Sequence, residues 1–452
     1  MYNGREFMAN SKMSKSTGTA SKTPIQRVFA LRDFRLLFAG TATSILGDQF
    51  YLIATPWLVL QLTGDPLVLG LVIALGGIPR AVFMLIGGAL TDRFSPRTIL
   101  IAADLLRLVL TGLMALAVFT GAVQLWMLYA ISLGFGLVAG FAVPAGNSIV
   151  PLLVEDRDLQ AGNSVILGSS QLAGFIGPTL AGLLIGGLSN STWGVAFAFA
   201  IDSLSFAVSA VALLLMHSGK GNALVRTVEQ PEGILRSILA GMKFLWDDQA
   251  LRLMFVVITA VNFLFIGPVL IGVPVLANNY LPEGAVAFGL LVSGVAGGNL
   301  IGYILAAQLP RPGGRFIRIF LLAALAGFGL AIGSLGFIRL TGVLFCIIFM
   351  LGLGNGYITI LVLTWIQSRT PRDMLGRMMS MLMLTNTGLS PVSQAVSGAV
   401  IKWSLPGLFV IAGVGLLLVP LWTARQPGLK AVSEGLAMDT NSFSKELENS
   451  DD

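Results

Sequence analysis

The chain is a succession of long apolar segments, and their length constrains the fold more than any other feature. They cover residues 34–62, 66–90, 98–120, 124–146, 161–188, 193–216, 252–277, 285–309, 316–338, 341–366, 376–402 and 405–424. Each approaches or exceeds the ~20 residues that a helix needs to cross a bilayer. Within lipid the backbone must satisfy its own hydrogen bonds, so segments of this kind are helical. The pattern predicts an all-α integral membrane protein with twelve transmembrane helices. Most connections are brief polar stretches, such as those at 63–66, 189–192 and 281–284. The connection at 217–251 is longer, carries Lys220, Arg226, Arg236 and Lys243, and includes ILRSILAGMKFLW. The apolar and basic positions of that stretch suit a helix lying at the membrane surface. The expected organisation is a tail at 1–33, a six-helix half at 34–216, a central loop with an interfacial helix at 217–251, a second six-helix half at 252–425 and a tail at 426–452.

Composition excludes the main alternatives. Only 11% of the 452 residues are charged and 55% are hydrophobic, against roughly 25% charged in soluble proteins, so too few charges exist to coat a soluble surface. The 54 glycines fit helices packed closely through small residues. A single cysteine, Cys346, rules out an internal disulfide, and a single histidine, His217, argues against a His-based metal centre or catalytic triad. No zinc-protease motif, nucleotide-binding loop or Ser/His pairing points to an enzyme, and no cofactor is implied. The net charge of +6 comes without an aromatic-interleaved basic patch for nucleic acid.

The basic residues set an orientation instead. With both tails inside, Lys12, Lys15, Lys22, Arg93, Arg97, Arg311, Arg315, Arg318, Arg369, Arg372 and Arg377 are cytoplasmic together with the central loop. Only Arg339 and Lys402 then fall in outer connections. That bias is the positive-inside rule, and it predicts a multi-pass inner (plasma) membrane protein with both termini in the cytoplasm. A faint internal echo supports a repeat. Arg157 and Asp158 precede a helix containing Pro178 much as Arg372 and Asp373 precede one containing Pro391, and transporters are often built from such repeats.

The second span ends in GGALTDRFSPR, residues 87–97. Gly88 lies one helical turn before Asp92, allowing a neighbouring helix to approach. An acid at a helix C-terminus is disfavoured by the dipole and needs cationic partners or a facing helix N-terminus. A cluster made in one conformational state and not another is a latch. The stretch resembles the Gly-x-x-x-Asp-Arg-x-Gly-Arg-Lys/Arg signature of the major facilitator superfamily between its second and third helices. Gly88, Asp92, Arg93 and Arg97 match, while Ser95 and Pro96 depart from it. SILGDQFYLIATPWLVLQLTGDPLVLGLV, PAGNSIVPLLVEDRDLQAGNS and QSRTPRDMLGRMMS are similar to the exporter branch that contains macrolide-efflux and enterobactin-exporter proteins. The resemblance covers about residues 30–425. It implies the major facilitator fold and secondary active export of small amphipathic molecules. Exporters of the family carry a Gly-Pro pattern in span five, matched here by Ala173, Gly177, Pro178, Ala181 and Gly182, with alanine twice replacing glycine. Proline and small residues there allow a bend, a seal or an ordinary packed kink. Span four has no arginine of the sort that drug/proton antiporters of the family often carry, which puts that route of coupling in doubt.

Five ionisable residues fall inside spans: Asp48, Arg80, Asp104, Arg107 and Asp202, all in the first half. Intramembrane charge is expensive and normally faces a cavity or a partner. Asp48 lies 13 residues after Arg35, about 20 Å along the helix, and is the expected coupling residue, at which a proton and a cationic substrate compete. Asp202 is the next candidate. Arg80 has two readings, a counter-ion for Asp48 or a holder of an anionic substrate. Asp104 and Arg107 share a helical face and are grouped with the latch of Gly88, Asp92, Arg93 and Arg97. The expected function is proton-coupled export of a small drug, macrolide or siderophore-like molecule by a monomer in the bilayer. The alternatives are a lipid or siderophore carrier without proton antiport and a transport-dead membrane sensor.

Overall fold

A computed structural model of the chain describes residues 23–91, 94–188, 191–217, 234–309, 314–371 and 374–433; the side chains at 85–91, 191, 234–240, 314–315 and 387 lie outside that description. The helices are α1 (Pro24–Ala30), α2 (Arg32–Thr63), α3 (Pro66–Thr91), α4 (Pro96–Phe119), α5 (Leu125–Leu153), α6 (Leu159–Gly187), α7 (Ser191–Leu215) and α8 (Ile234–Asp247). They continue with α9 (Gln249–Gly267), α10 (Val273–Tyr280), α11 (Ala285–Gln308), α12 (Gly314–Leu335), α13 (Thr341–Arg369), α14 (Leu375–Thr387), α15 (Ser390–Ile401) and α16 (Leu405–Ala424). No strand occurs among the described residues.

Eleven helical stretches among the described residues are long and apolar enough to cross a membrane. One of them, Gln249–Tyr280, is assembled from α9 and α10 across a π-helical turn at Pro268–Gly272. Pro268 and Pro274 each lack an N–H, and a wider turn accommodates the missing bonds. The expected span at 376–402 is instead two short helices, α14 and α15, parted at Gly388 and Leu389. Pro391 stands at the start of α15, where its ring fits a first helical turn but would clash within a continuous helix. Together the two pieces provide the twelfth crossing of the fold. Elsewhere the ends are capped locally: Asp248 accepts the Ala250 and Leu251 amides at 2.8 and 3.1 Å, and Ser404 accepts that of Gly407 at 3.0 Å.

Helices α2 to α7 pack among themselves, as do α9 to α16, and the two groups meet mainly along α6 with α11 and α3 with α15. Small residues permit these contacts. A Cβ added at Gly182 would stand 2.6 Å from Ala285 O and 3.1 Å from Gly289 Cα, and one at Gly398 would stand 2.6 Å from Pro66 O. Thr179 N and Oγ1 both donate to Ser293 Oγ, at 3.0 and 2.8 Å. Lys402 Nζ lies 2.9 Å from Asp65 Oδ2 at the same end of the bundle.

Toward the other end the groups part. Gly174 on α6 approaches Ala296 on α11, and Gly297 meets Phe175. Leu167 lies two turns before Gly174 on one helix face, and Ile301 and Ile304 continue the face of Gly297. All three are exposed, Leu167 at 66%. Helices α6 and α11 therefore diverge beyond Gly174, toward the start of α6.

Candidate functional site

The charged residues expected inside the spans come together in the first group of helices. Gly47 lets α2 close on α7: a Cβ there would meet Ser205 and would lie 2.9 Å from Asp202 Oδ1. That approach sets Asp202 beside Asp48. Arg107 of α4 and Arg80 of α3 are the cations near Asp48, and Asp202 has Asp48 and Arg107 as its charged neighbours. Asp104 faces Ser209 and shares Arg107. Asp202 is fully buried with neither carboxyl oxygen hydrogen-bonded among the described residues. Arg80 is exposed and Asp48 half-buried, so the cluster reaches from the closed helix packing to accessible surface.

Aromatic rings complete the geometry. The Arg107 guanidinium stands 5.6 Å from the Phe135 centroid and 5.4 Å from that of Phe206, distances at which a cation is attracted by a ring face. Its Nε is buried without a hydrogen-bond partner among the described residues. Tyr51 stacks on Phe135 at 4.2 Å. Three carboxyl groups thus face two guanidiniums in a low-dielectric setting, where uncompensated charge is costly. One proton or one cationic ligand balances the set. Chemically, the arrangement can hold and release a single positive charge.

The second group of helices supplies an apolar wall. A cavity of ≈ 270 Å³ lies among α9, α12, α13 and α14 and is lined by Val261, Leu325, Phe328, Ile358 and Leu382. Its polar groups are Asn262, Asn355, Thr359, Asn386 and Thr423. Asn262 Nδ2 donates to Asn386 Oδ1 at 2.6 Å, and Asn355 Nδ2 to Asn299 Oδ1 at 2.9 Å. These asparagines stand in the sequence as scattered polar residues, and only the fold pairs them.

The proposed latch is distributed differently from its grouping in the sequence. Asp104 and Arg107 lie 8 and 11 residues beyond Pro96 at the start of α4, about 12 and 16 Å along its axis. That depth puts them with Asp48 instead of with the loop. Arg97 donates through Nε to Leu213 O at 2.8 Å and through Nη2 to Leu214 O at 3.0 Å, binding the carbonyl end of α7 as a cation does favourably. Asp92 and Arg93 lie outside the described residues, as do the surroundings of Gly88 within α3. The small face of α6 serves two neighbours: Gly177 lies against Gln49 and Leu46 of α2, while Gly182 and the Pro178 carbonyl meet Gly289 of α11. Helix α6 runs unbroken through Pro178.

Two ion pairs outside the spans were not singled out from sequence. Arg27 Nε contacts both oxygens of Asp158, at 3.1 and 2.9 Å, docking α1 beside α6, and this hydrogen-bonded guanidinium holds the Asp158 carboxyl below the usual carboxylate range. At Asp65, burial opposes ionisation, but Lys402 and the Leu67 amide more than offset it and hold that carboxyl low as well.

A helical membrane bundle in two groups that join at one end, with a cluster of charged side chains inside the first group, is the build of a membrane carrier. The sequence profile of the Major Facilitator Superfamily matches residues 37–394, and the chain belongs to that family: it is a multi-pass membrane transporter and not an enzyme. It is 26% identical to the multidrug efflux pump Tap of Mycobacterium bovis over 88% of this chain and 94% of that one. It is 26% identical to macrolide efflux protein A of Streptococcus pyogenes over 67% and 73%. With the enterobactin exporter EntS of Citrobacter koseri the identity is 27% over 90% of each chain. Among solved structures, the nucleoside transporter NupG shares the fold with a TM-score of 0.66 and 11% identity, over 87% of this chain and 98% of that one.

Proposed function

We propose that the chain is a secondary exporter of small amphipathic molecules that works by alternating access and is driven by protons. The observation that carries this reading is the cluster of Asp48, Asp202, Asp104, Arg107 and Arg80 inside the first group of helices, whose three acids and two bases leave room for one positive charge. Efflux relatives covering nearly the whole chain support the direction of transport. In this scheme Asp48, half-buried within the cluster, exchanges a proton for the cationic group of a substrate. The apolar wall near Phe328 and Leu325 takes the substrate's hydrophobic body.

The basic asymmetry of the loops supports two cytoplasmic termini in an inner membrane, so the closed end at Asp65 and Lys402 is the outer one. Residues 34–216 and 252–425 then rock as two halves of a monomer, with Gly88, Asp92 and Arg93 as the inner latch. An anionic substrate is a second reading, favoured by the exposed guanidinium of Arg80. Inverted vesicles containing the protein should accumulate a fluorescent amphipathic cation when a proton gradient is imposed and lose it on adding a protonophore. Accumulation equal to that of protein-free vesicles, across cationic and anionic probes alike, would remove the proposal.

A further inference from the structure

We infer that the junction of α8, α9 and α16 is a binding site for one anionic phospholipid, its phosphate on Arg252 between the indoles of Trp246 and Trp422. A cavity of ≈ 190 Å³ lies there, lined by Trp246, Gln249, Arg252, Val256, Trp422 and Gln426. Arg252 Nη1 donates to Trp246 O at 3.1 Å, which fixes the side chain. No carboxylate pairs with this guanidinium among the described residues: Asp247 is exposed on the neighbouring turn, and Asp248 is held by Arg369 at 2.7 Å. The cation is therefore positioned but not neutralised, and guanidinium is the side chain best matched to a phosphate.

The surroundings have the layering of a lipid. Arg252 is within one turn of the start of α9 and Trp422 within one turn of the end of α16, the level at which tryptophans mark a membrane boundary. Both indoles are exposed, Trp246 at 55% and Trp422 at 44%. One turn deeper on each helix stands an exposed apolar residue, Val256 below Arg252 and Leu418 below Trp422. Polar donors above and apolar side chains below suit a headgroup and its acyl chains. Gln249 and Gln426 add neutral polar groups at the upper level, fit for the glycerol or hydroxyl portion. Leu253 lines both this site and the larger apolar cavity, so a lipid held here abuts the wall assigned to the substrate.

The test uses the purified full-length protein in neutral detergent, titrated with phosphatidylglycerol or phosphatidylcholine carrying brominated chains, with quenching of tryptophan fluorescence as the readout. Phosphatidylglycerol is expected to bind about tenfold more tightly than phosphatidylcholine, the effect of one charge-assisted contact. Arg252→Gln should abolish that preference, Arg252→Lys should retain part of it, and Trp422→Phe should reduce the quenched amplitude. Equal affinity for the two lipids in the wild-type protein overturns the inference without recourse to any variant. So does a preference that survives Arg252→Gln in protein that elutes as a single folded species. Competition by millimolar inorganic phosphate as effective as that of the lipid would make the site one for a soluble anion and would equally overturn it.

Discussion

Gly289 is the position at which a single methyl group should change the balance of conformations. A Cβ on Gly289 would overlap the Pro178 carbonyl and lie 3.0 Å from Gly182 Cα, against a comfortable carbon–carbon separation of roughly 3.5–4.0 Å. The obstacles are backbone atoms of α6, which cannot rotate away, so α6 and α11 must part by roughly 1 Å. Overpacking of this kind costs ~1–3 kcal/mol. Because the contact belongs to the closed outer end alone, the cost falls on that state and shifts the equilibrium toward outer opening by about 5- to 150-fold. The assay is pulsed electron spin resonance on a Cys346→Ser background, with spin labels at the exposed positions Leu62 and Trp403 on opposite halves. Gly289→Ala should add a long-distance population between the labels. Gly342→Ala, where nothing lies within 4 Å, should not. An unchanged distance distribution in Gly289→Ala, with the protein folded, would refute the claim that the α6 and α11 contact is what shuts the outer end.

Four further outcomes are expected. Lys402→Gln should loosen the outer end by less than about 1 kcal/mol, since a partly exposed pair contributes little, seen as a minor long-distance fraction with the same labels. Because the Asp65 carboxyl is held low, its contribution is complete above the usual carboxylate range near pH ~4 and fades only as pH falls through its own lower value; the distribution should be flat from about pH 8 to 5, and a transition near neutrality would contradict this. Asp202→Asn should keep the protein folded, within ~1 kcal/mol of the wild type by thermal unfolding, because it removes one of two adjacent acids from a cluster with one acid in excess; a loss of ~3–5 kcal/mol would mean that Asp202 is the ionised partner of Arg107. Alkaline phosphatase fused after Arg425 should be inactive, and periplasmic activity would reverse the topology.

Much of the architecture was legible because hydrophobic length and charge are read along one dimension. The apolar runs located the spans, and the exceptional charges within them named all five members of the cluster. What one dimension omits is the direction in which each side chain points. Asp104 and Arg107 follow Arg97 closely in sequence, yet two to three turns of α4 carry them to the depth of Asp48. Lys402 stood out as one of two basic residues in outer connections, but nothing local named Asp65, from the other half, as its partner. The Asn262 and Asn386 pair was invisible for the same reason. The break between α14 and α15 had a local signal in Gly388 and Pro391, overridden by the apolar length of the surrounding run.

The central claim is that Asp48 couples proton movement to export, and one comparison bears on it most directly. Wild-type protein and Asp48→Asn, present in inverted vesicles at equal folded amounts, are given the same imposed proton gradient and the same fluorescent amphipathic cation. Gradient-driven accumulation is expected in the wild type only, with the variant retaining insertion and substrate binding but losing the pH dependence of that binding. Undiminished, pH-dependent accumulation by Asp48→Asn would contradict it and move the coupling role to Asp202.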